Sequence, residues 1–299
     1  MLYHLLLQTV KTQQSAGVSP GQPHLLLYHL DVSKDVEKAV NDLSQEARGG
    51  SLYVIADEAV LEYKEQKFQT FCKKLLARVP RLHLWAASYF HGYAPDGWQV
   101  EYLTRPLRSP PVVVREVEKD ARITKGDVKP YRERGVSDHT DGPPVTRLYH
   151  RGQGHSGVWP VDCITCGREV ASFLHSLRVG VTENITATST TVTFTSRYTT
   201  PTCLQWRDVL VLYWRDDCDN TDMVTVLQEA GIPVRVMTDD DIEDVATARS
   251  DVVWVADERR VRGLERKVVV CVNDNVALSF RLHWISRCTS QLVIVSLDD

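Results

Sequence analysis

Apolar and polar positions along the chain follow two different periods, and together they predict an α/β protein. Val36, Ala39, Val40 and Leu43 recur at the spacing of one helix face, which favours an amphipathic helix. A continuous apolar run over 51–56 follows this helix. Such runs are typical of strands that are buried on both faces of a parallel sheet.

Helix and strand patterns also alternate in the rest of the first 90 residues. Another strand is predicted over 25–30, a helix over 67–78 and a strand over 82–87, from short apolar runs and helical spacing. Strands that alternate with helices are typical of a parallel sheet with crossover helices.

A different pattern occupies 119–157, which is rich in glycine, proline and charge. We expect a long connection there, with one strand over 145–150. A helix is predicted over 166–177. The Thr- and Ser-dense stretch over 182–202 favours a flexible surface insertion, with a solvated strand as the alternative.

The last third returns to alternating strands and helices. Strands are predicted over 208–214, 233–237, 252–256, 268–272 and 291–296, and helices over 221–230, 239–249 and 277–288. This part of the chain therefore predicts a second parallel α/β unit.

Bulk composition limits the class of protein. The 299 residues, 43% hydrophobic and 25% charged, suit about two soluble domains. A net charge of −4 gives no general basic bias towards nucleic acid, although a local basic groove remains compatible with it. No apolar run approaches the ~18 residues of a membrane span. Seven irregularly spaced cysteines favour reduced thiols in a cytoplasmic or nuclear protein.

Candidate chemistry begins with Asp57 and Glu58, which follow the apolar run over 51–56. The carboxyl edge of a parallel sheet is where such folds place ligands. In nucleotide hydrolases, a carboxylate at a strand end helps to hold Mg²⁺ and its neighbour positions water. The alternative is an acidic pair that is favoured at a helix N-terminus.

Three further segments carry residues suited to phosphate chemistry. Arg108 precedes a proline pair, Gly263-Leu264-Glu265 forms a turn before an apolar strand, and Arg287 lies between a helix and the last strand. A guanidinium can stabilise charge on a phosphate. The alternatives are a solvated arginine for Arg108, an ordinary tight turn for Gly263, and an interaction with the helix dipole for Arg287.

Taken in order, these segments resemble the motifs of superfamily 1 helicases. Ile55 to Ala59 resembles the Asp-Glu box, Leu103 to Ser109 the motif whose arginine touches the γ-phosphate, and Gly263-Leu264-Glu265 the Gly-Leu-Glu motif. Ser286-Arg287-Cys288 is similar to the final motif, which carries an arginine finger. The strand over 208–214, with the later Gly-Ile-Pro turn, is similar to the opening of the second lobe.

The resemblance implies roles for these residues and a set of ligands. Asp57 would bind Mg²⁺ directly or through water, Glu58 would position water, and Arg108 and Arg287 would stabilise phosphate charge. Gly263 and Glu265 would bind the nucleotide and couple the second lobe to nucleotide and nucleic acid. ATP and Mg²⁺ would be the cofactors of a functional site. Single-stranded DNA or RNA would be the partner.

The resemblance also implies two RecA-like lobes, over 1–144 and 145–299. The sequence contains no G-x-x-x-x-G-K-[ST] loop, which in such proteins cradles the phosphates. Its strand and helix would precede Met1, so the first lobe is expected to be truncated at its N-terminus. Val60 and the apolar stretch over 85–87 also depart from the polar residues of the family.

Two function classes follow from this balance. The first is an ATP-driven nucleic-acid translocase, or a fragment or divergent member of that group. The second is a catalytically inactive helicase-like module with a regulatory or interaction role, which the missing phosphate loop favours.

Cys163 and Cys166 form a C-x-x-C pair, but the sequence does not favour zinc there. A zinc site needs two more ligands at suitable spacing, and His150 and His155 lie upstream at awkward distances. A thioredoxin-like role is also disfavoured, because the pair does not follow the first strand of such a fold.

Overall fold

The computed structural model describes most of the chain, in ranges separated by gaps. These ranges are 2–17, 24–26, 28, 33–47, 51–57, 59, 65–87, 94, 97–104, 108–126, 129–130, 141–178, 204–213, 221–261, 263–273 and 281–297. The chain forms two compact units. The larger unit comprises Met1–Gly21, Arg105–Ala121 and Tyr131–Asp299, and the smaller comprises Gln22–Thr104 and Arg122–Pro130.

The smaller unit contains two helices and a parallel pair of strands. In helix–strand–helix–strand order, these elements are α2 (Ser33–Glu46), β1 (Leu52–Ala56), α3 (Glu65–Arg78) and β2 (Leu82–Ala86). Strand β1 pairs with β2 in parallel, with Val54 opposite Leu84. The two helices bury their apolar faces in one core, to which α2 contributes the predicted Val36, Ala39, Val40 and Leu43.

One face of the small sheet is open. Tyr53, Ile55 and Trp85 are 67%, 58% and 56% exposed, and Tyr53 stacks on His83 with ring centroids 4.6 Å apart. The prediction that β1 is buried on both faces is therefore wrong. On this face the aromatic side chains stack on one another, and among the described residues no second layer buries them.

The larger unit is built on a six-stranded parallel sheet in the order β3-β8-β7-β4-β6-β5. The strands are β3 (Thr146–Tyr149), β4 (Val209–Tyr213), β5 (Val234–Val236), β6 (Val253–Ala256), β7 (Arg266–Asn273) and β8 (Cys288–Ser296). All five residues of β4 are buried, as an apolar run in a central parallel strand requires. The four-residue β3 forms an edge.

Short helices connect and cover this sheet. They are α1 (Leu2–Ser15), α4 (Pro111–Val117), α6 (Ile164–Arg178), α7 (Asp222–Glu229), α8 (Ile242–Thr247) and α9 (Arg281–Trp284), with α5 (Ala121–Thr124) at the boundary of the two units. Single 3-10 turns lie at Pro160–Asp162, Trp206–Asp208, Asp239–Asp241, Glu258–Val261 and Ile285–Arg287. Val170 and Leu174 of α6 join Met223 and Leu227 of α7 in the main core.

Local sequence explains where these elements begin and end. The Thr221 hydroxyl accepts the backbone N–H of Val224 at 3.4 Å, which caps α7. Gly231, with φ of +76°, lies just beyond the C-terminal end of that helix. For α7 the predicted limits, 221–230, lie within one residue of the observed ones. The helices predicted over 239–249 and 277–288 are shorter in the described residues, because 3-10 turns at Asp239–Asp241 and Ile285–Arg287 flank them.

The prediction of an α/β protein with parallel sheets is confirmed. The strand predicted over 25–30 is not seen in its described residues, since Leu25 and Leu26 are exposed without regular structure. The insertion predicted over 182–202 lies outside the described residues, and the lobe boundary at residue 144 stays a prediction. Within the described ranges, no helix is long and apolar enough for a bilayer crossing.

Candidate functional site

The predicted acidic box lies in the smaller unit, at the carboxyl end of β1. Asp57 occupies the turn after the strand and is exposed. The N–H of Ala87 donates to the oxygen of Ala56 at 2.9 Å, so the carboxyl ends of β1 and β2 lie side by side. This is the sheet edge at which Asp57 was expected. Glu58 lies outside the described residues.

The predicted Gly-Leu-Glu turn lies in the larger unit, directly before β7. Gly263 has φ of +72°, a left-handed conformation that side chains with a Cβ rarely adopt. Leu264 is buried, which anchors the turn to the core. The next side chain, that of Glu265, is 32% exposed and leaves the turn at the start of the strand.

Arg108 meets this turn. Its Nε lies 2.8 Å from Oε2 of Glu265, while 72% of its side chain remains exposed. An exposed ion pair of this kind stabilises a fold by only about 0–1 kcal/mol. The ion pair matters for its position: it joins two residues, Arg108 and Glu265, that belong to sequence motifs far apart in the chain.

Arg108 and Glu265 line an open pocket of about 440 Å³, which we call the basic pocket. The described residues around it are Arg108, Arg207, Asp208, Ala248, Glu265, Arg266, Lys267 and Thr289. It lies where β4, β7 and β8 begin. Among these residues four side chains are cationic and two are acidic, so the local charge is positive although the chain as a whole is acidic.

The two carboxylates of the basic pocket are already paired, whereas the guanidinium groups of Arg207 and Arg266 have no ion pair with a carboxylate among the described residues. Asp208 accepts from Nζ of Lys267 at 2.9 Å. Arg207 donates to the Ala248 oxygen at 3.0 Å, and Arg266 donates to the oxygens of Glu265 and Val245 at 2.8 and 2.9 Å. Two of the cations are therefore held by neutral carbonyl groups.

Arg266 is partly desolvated. Its Nε is buried and has no hydrogen-bond partner among the described residues. Burial lowers the pKa of its guanidinium, and the nearby Asp208 charge opposes that shift. Because arginine keeps its proton in proteins, Arg266 places a partly desolvated positive charge at the pocket.

Arg287 is not among the described residues that line the basic pocket. It ends the 3-10 turn Ile285–Arg287 and is 9% exposed. Thr289, two positions later, does line the pocket. The structure thus brings Arg108 and Glu265 together, with Gly263 in the same turn, and places Asp57 in the smaller unit.

A second cluster joins four residues that the sequence analysis did not favour as a site. Side-chain atoms of His150, His155, Cys163 and Cys166 all lie within 4.8 Å of one another. Nδ1 of His150 is 3.4 Å from Sγ of Cys166. Nδ1 of His155 is 3.6 Å from Sγ of Cys163 and 3.4 Å from Sγ of Cys166. We call this group the His/Cys cluster.

Two secondary-structure elements position the His/Cys cluster. The backbone N–H of His150 donates to the Ser296 oxygen at 2.8 Å, which extends the pairing of β3 with β8 to that residue. Cys163 precedes α6, and its carbonyl oxygen accepts the N–H of Gly167 at 3.0 Å. The Thr165 hydroxyl donates to the Gly154 oxygen at 2.5 Å, which ties the intervening loop to the helix.

No protein-family model matches this chain, and no curated protein matches it in sequence.

The signal that could have found the His/Cys cluster was present in the sequence. A C-x-x-C pair at the start of a helix places both sulfurs at one helix end. The pattern over 145–150 predicts that a strand ends near His150. His150 and His155 were not favoured as zinc ligands because their spacing along the chain is unsuitable. Spacing takes no account of the loop after β3, which folds back and brings both histidines to the start of α6.

Proposed function

We propose that this chain is a helicase-like module of the superfamily 1 type, with RecA-like lobes, that binds the phosphate of a nucleotide in the basic pocket. The observation that carries the proposal is the contact between Arg108 and Glu265 at the rim of that pocket. The resemblance implies that both residues act at the nucleotide. Single-stranded DNA or RNA is the proposed partner of the wider surface.

The sheet of the larger unit supports the same proposal. The Gly263 turn leads into β7 and Arg287 leads into β8, and these neighbouring strands follow β4 in the sheet order β4-β7-β8. The beginnings of these strands surround the basic pocket. Two of the segments that the resemblance selects therefore approach one edge of one sheet.

The described residues fit a phosphate group better than they fit a complete ATP–Mg²⁺ site. Arginine and lysine side chains suit phosphate oxygens. Magnesium needs several oxygen ligands, whereas the two carboxylates that line the pocket, Asp208 and Glu265, are paired with Lys267 and Arg108. Bound Mg²⁺ would neutralise part of the charge of the phosphate.

Between the two function classes, we favour a binding or regulatory module over a hydrolase for this chain. The 299 residues contain no phosphate-cradling loop of the Walker type. A cytoplasmic or nuclear location is part of the proposal. The described cysteines, which are all free thiols, are compatible with it.

Binding of a fluorescent ATP analogue, with competition by ATP, ADP and inorganic phosphate, tests the proposal. Arg108→Ala and Arg266→Gln should each weaken binding at least severalfold. Arg115→Ala is the matched control, because Arg115 forms an exposed ion pair with Asp141 at the same 2.8 Å but does not line the pocket. Equal binding by all four proteins, or no binding by any, would refute the proposal.

Hydrolysis is measured on the same proteins, with and without single-stranded DNA or RNA. Stimulated turnover that Glu58→Gln and Arg287→Ala abolish would assign the chain to the translocase class. Nucleotide binding without turnover would assign it to the inactive helicase-like class.

A further inference from the structure

The His/Cys cluster has the dimensions of a tetrahedral metal site. With bonds of about 2.0 Å to nitrogen and about 2.3 Å to sulfur, tetrahedral ligands lie about 3.3–3.8 Å apart. Three nitrogen–sulfur separations in the cluster are 3.4, 3.6 and 3.4 Å, and all four candidate ligand atoms lie within 4.8 Å of one another. Three of the six ligand pairs thus already have the separation that one tetrahedral ion requires.

Each histidine of the cluster turns one ring nitrogen towards sulfur and the other towards a protein acceptor. Nε2 of His150 lies 3.3 Å from the Gly157 oxygen, and donates to it when the proton is on Nε2. Nε2 of His155 lies 3.9 Å from Oε1 of Glu169. Histidines that ligate metals commonly place a carbonyl or carboxylate behind the ring in this way, which fixes the tautomer that ligates.

The sulfur of Cys163 is also surrounded by donors. Backbone N–H groups of Ser156, Thr165 and Cys166 donate to it. Hydrogen bonds of this kind, behind a metal ligand, orient the ligand.

Charge balance favours a divalent ion. Both cysteines are fully buried, and the side chain of His155 is 9% exposed. Two thiolates and two neutral imidazoles around one divalent cation carry no net charge. Such a group can be buried without an uncompensated charge.

A redox-active dithiol is the main alternative for a C-x-x-C pair at a helix start. Reactive cysteines need access to their substrates, whereas the sulfur-bearing residues here have 0% exposure. A dithiol site would also leave the two converging imidazole nitrogens unexplained. The geometry therefore favours metal binding.

We propose that His150, His155, Cys163 and Cys166 bind one zinc ion, through both Nδ1 atoms and both sulfurs, as a structural site. Four protein ligands close the coordination shell, which distinguishes structural from catalytic zinc. The ion would join the end of edge strand β3 to the start of α6. This inference does not depend on the helicase-like proposal, since none of the four residues lines the basic pocket.

Metal content of the full chain tests the site. The protein is produced in zinc-sufficient medium, purified without chelators or metal columns, and analysed for zinc and iron by mass spectrometry. About one zinc per chain is expected. Replacing both cysteines with serine should remove it, whereas Cys72→Ala, which changes a buried cysteine of the other unit, should retain it.

Two further measurements cover the case in which the double variant does not fold. His150→Cys, which gives a Cys₃His set that also suits zinc, should keep the metal. The wild-type chain loaded with Co²⁺ should show the intense visible absorption of tetrahedral thiolate coordination. A folded wild-type chain with neither zinc nor this Co²⁺ spectrum would overturn the proposal, as would full zinc retention by the double serine variant.

Discussion

The carboxylate of Asp120 accepts the backbone N–H of Leu282 at 2.8 Å, across 162 positions of sequence. Asp120 has 0% exposure, and Leu282 lies in the first turn of α9. The buried carboxylate therefore satisfies one of the helix N–H groups that have no partner within the helix. It also fixes the segment that leads to Arg287.

Replacing Asp120 with alanine should destabilise the larger unit by about 1–3 kcal/mol, because a buried donor loses its acceptor. Asp120→Asn keeps an acceptor oxygen and should recover part of that loss. Urea unfolding of both variants measures the difference. Equal stability of Asp120→Ala and the wild type would show that the contact contributes nothing.

Glu116 should make stability depend on acid pH. Burial raises the pKa of this carboxyl, but hydrogen bonds from Lys119 and Arg147, at 2.6 and 2.9 Å, outweigh burial and hold it below its ordinary value. A lowered folded-state pKa stabilises the fold above the unfolded value of about 4.3. That contribution is lost as the pH falls below this value and through the folded pKa.

The measurement is the free energy of unfolding between pH 7 and pH 3 for the wild type and Glu116→Gln. The variant should be less stable near neutrality and should lose less stability on acidification. Glu118→Gln changes a half-buried neighbouring acid that makes neither of these ion pairs and is the control. Parallel profiles for the wild type and Glu116→Gln would contradict the prediction.

Two apolar runs show how much of the fold can be predicted from sequence. The runs over 51–56 and 208–214 look alike, and both form strands. Strand β4 is central and wholly buried, whereas β1 has one open face. Periodicity identified each strand, but burial depends on which layers pack against it, and a local pattern does not contain that information.

Sequence also predicts some residues of the candidate sites and misses others. The order of motifs selected Arg108 and Glu265, which the fold brings into contact. It did not select Arg207 or Arg266, because nothing local marks an arginine whose neighbours are carbonyl groups. The two histidines of the His/Cys cluster were seen but rejected, since the fold-back of the loop is a tertiary property.

Glu265→Gln should tighten phosphate binding in the basic pocket. The substitution removes a negative charge and releases Arg108 from its ion pair. Loss of an exposed pair of up to about 1 kcal/mol corresponds to a gain of up to about fivefold. Titration with inorganic phosphate at low salt, where screening is weak, measures the gain; weaker binding than the wild type would contradict it.

Gly167 of α6 lies close to Val226 of α7. A Cβ added there would lie 3.0 Å from Cβ and 3.1 Å from Cγ1 of Val226. Gly167→Ala should therefore cost about 1–3 kcal/mol through overpacking. Val226→Ala creates space, so the double variant should be more stable than the sum of the single effects predicts, and strict additivity in thermal unfolding would contradict this packing.

Glu169 should act as a positioning residue for the proposed zinc ion. Its Oε1 lies 3.9 Å from Nε2 of His155, and its Oε2 is buried without a hydrogen-bond partner among the described residues. A carboxylate behind a ligating histidine orients the ring and raises its basicity, and loss of such a partner typically costs 10- to 100-fold in metal affinity.

Competition between the protein and a chromophoric zinc chelator measures that affinity. Glu169→Gln should weaken zinc binding by about 10- to 100-fold while the Co²⁺-loaded variant keeps a tetrahedral spectrum, because the four ligands are intact. Glu229→Gln, which changes an exposed acid on α7, should bind like the wild type. Unchanged affinity in Glu169→Gln would mean that the carboxylate does not support His155, whereas a lost tetrahedral spectrum would mean that Glu169 holds the fold of the loop rather than the orientation of the ring.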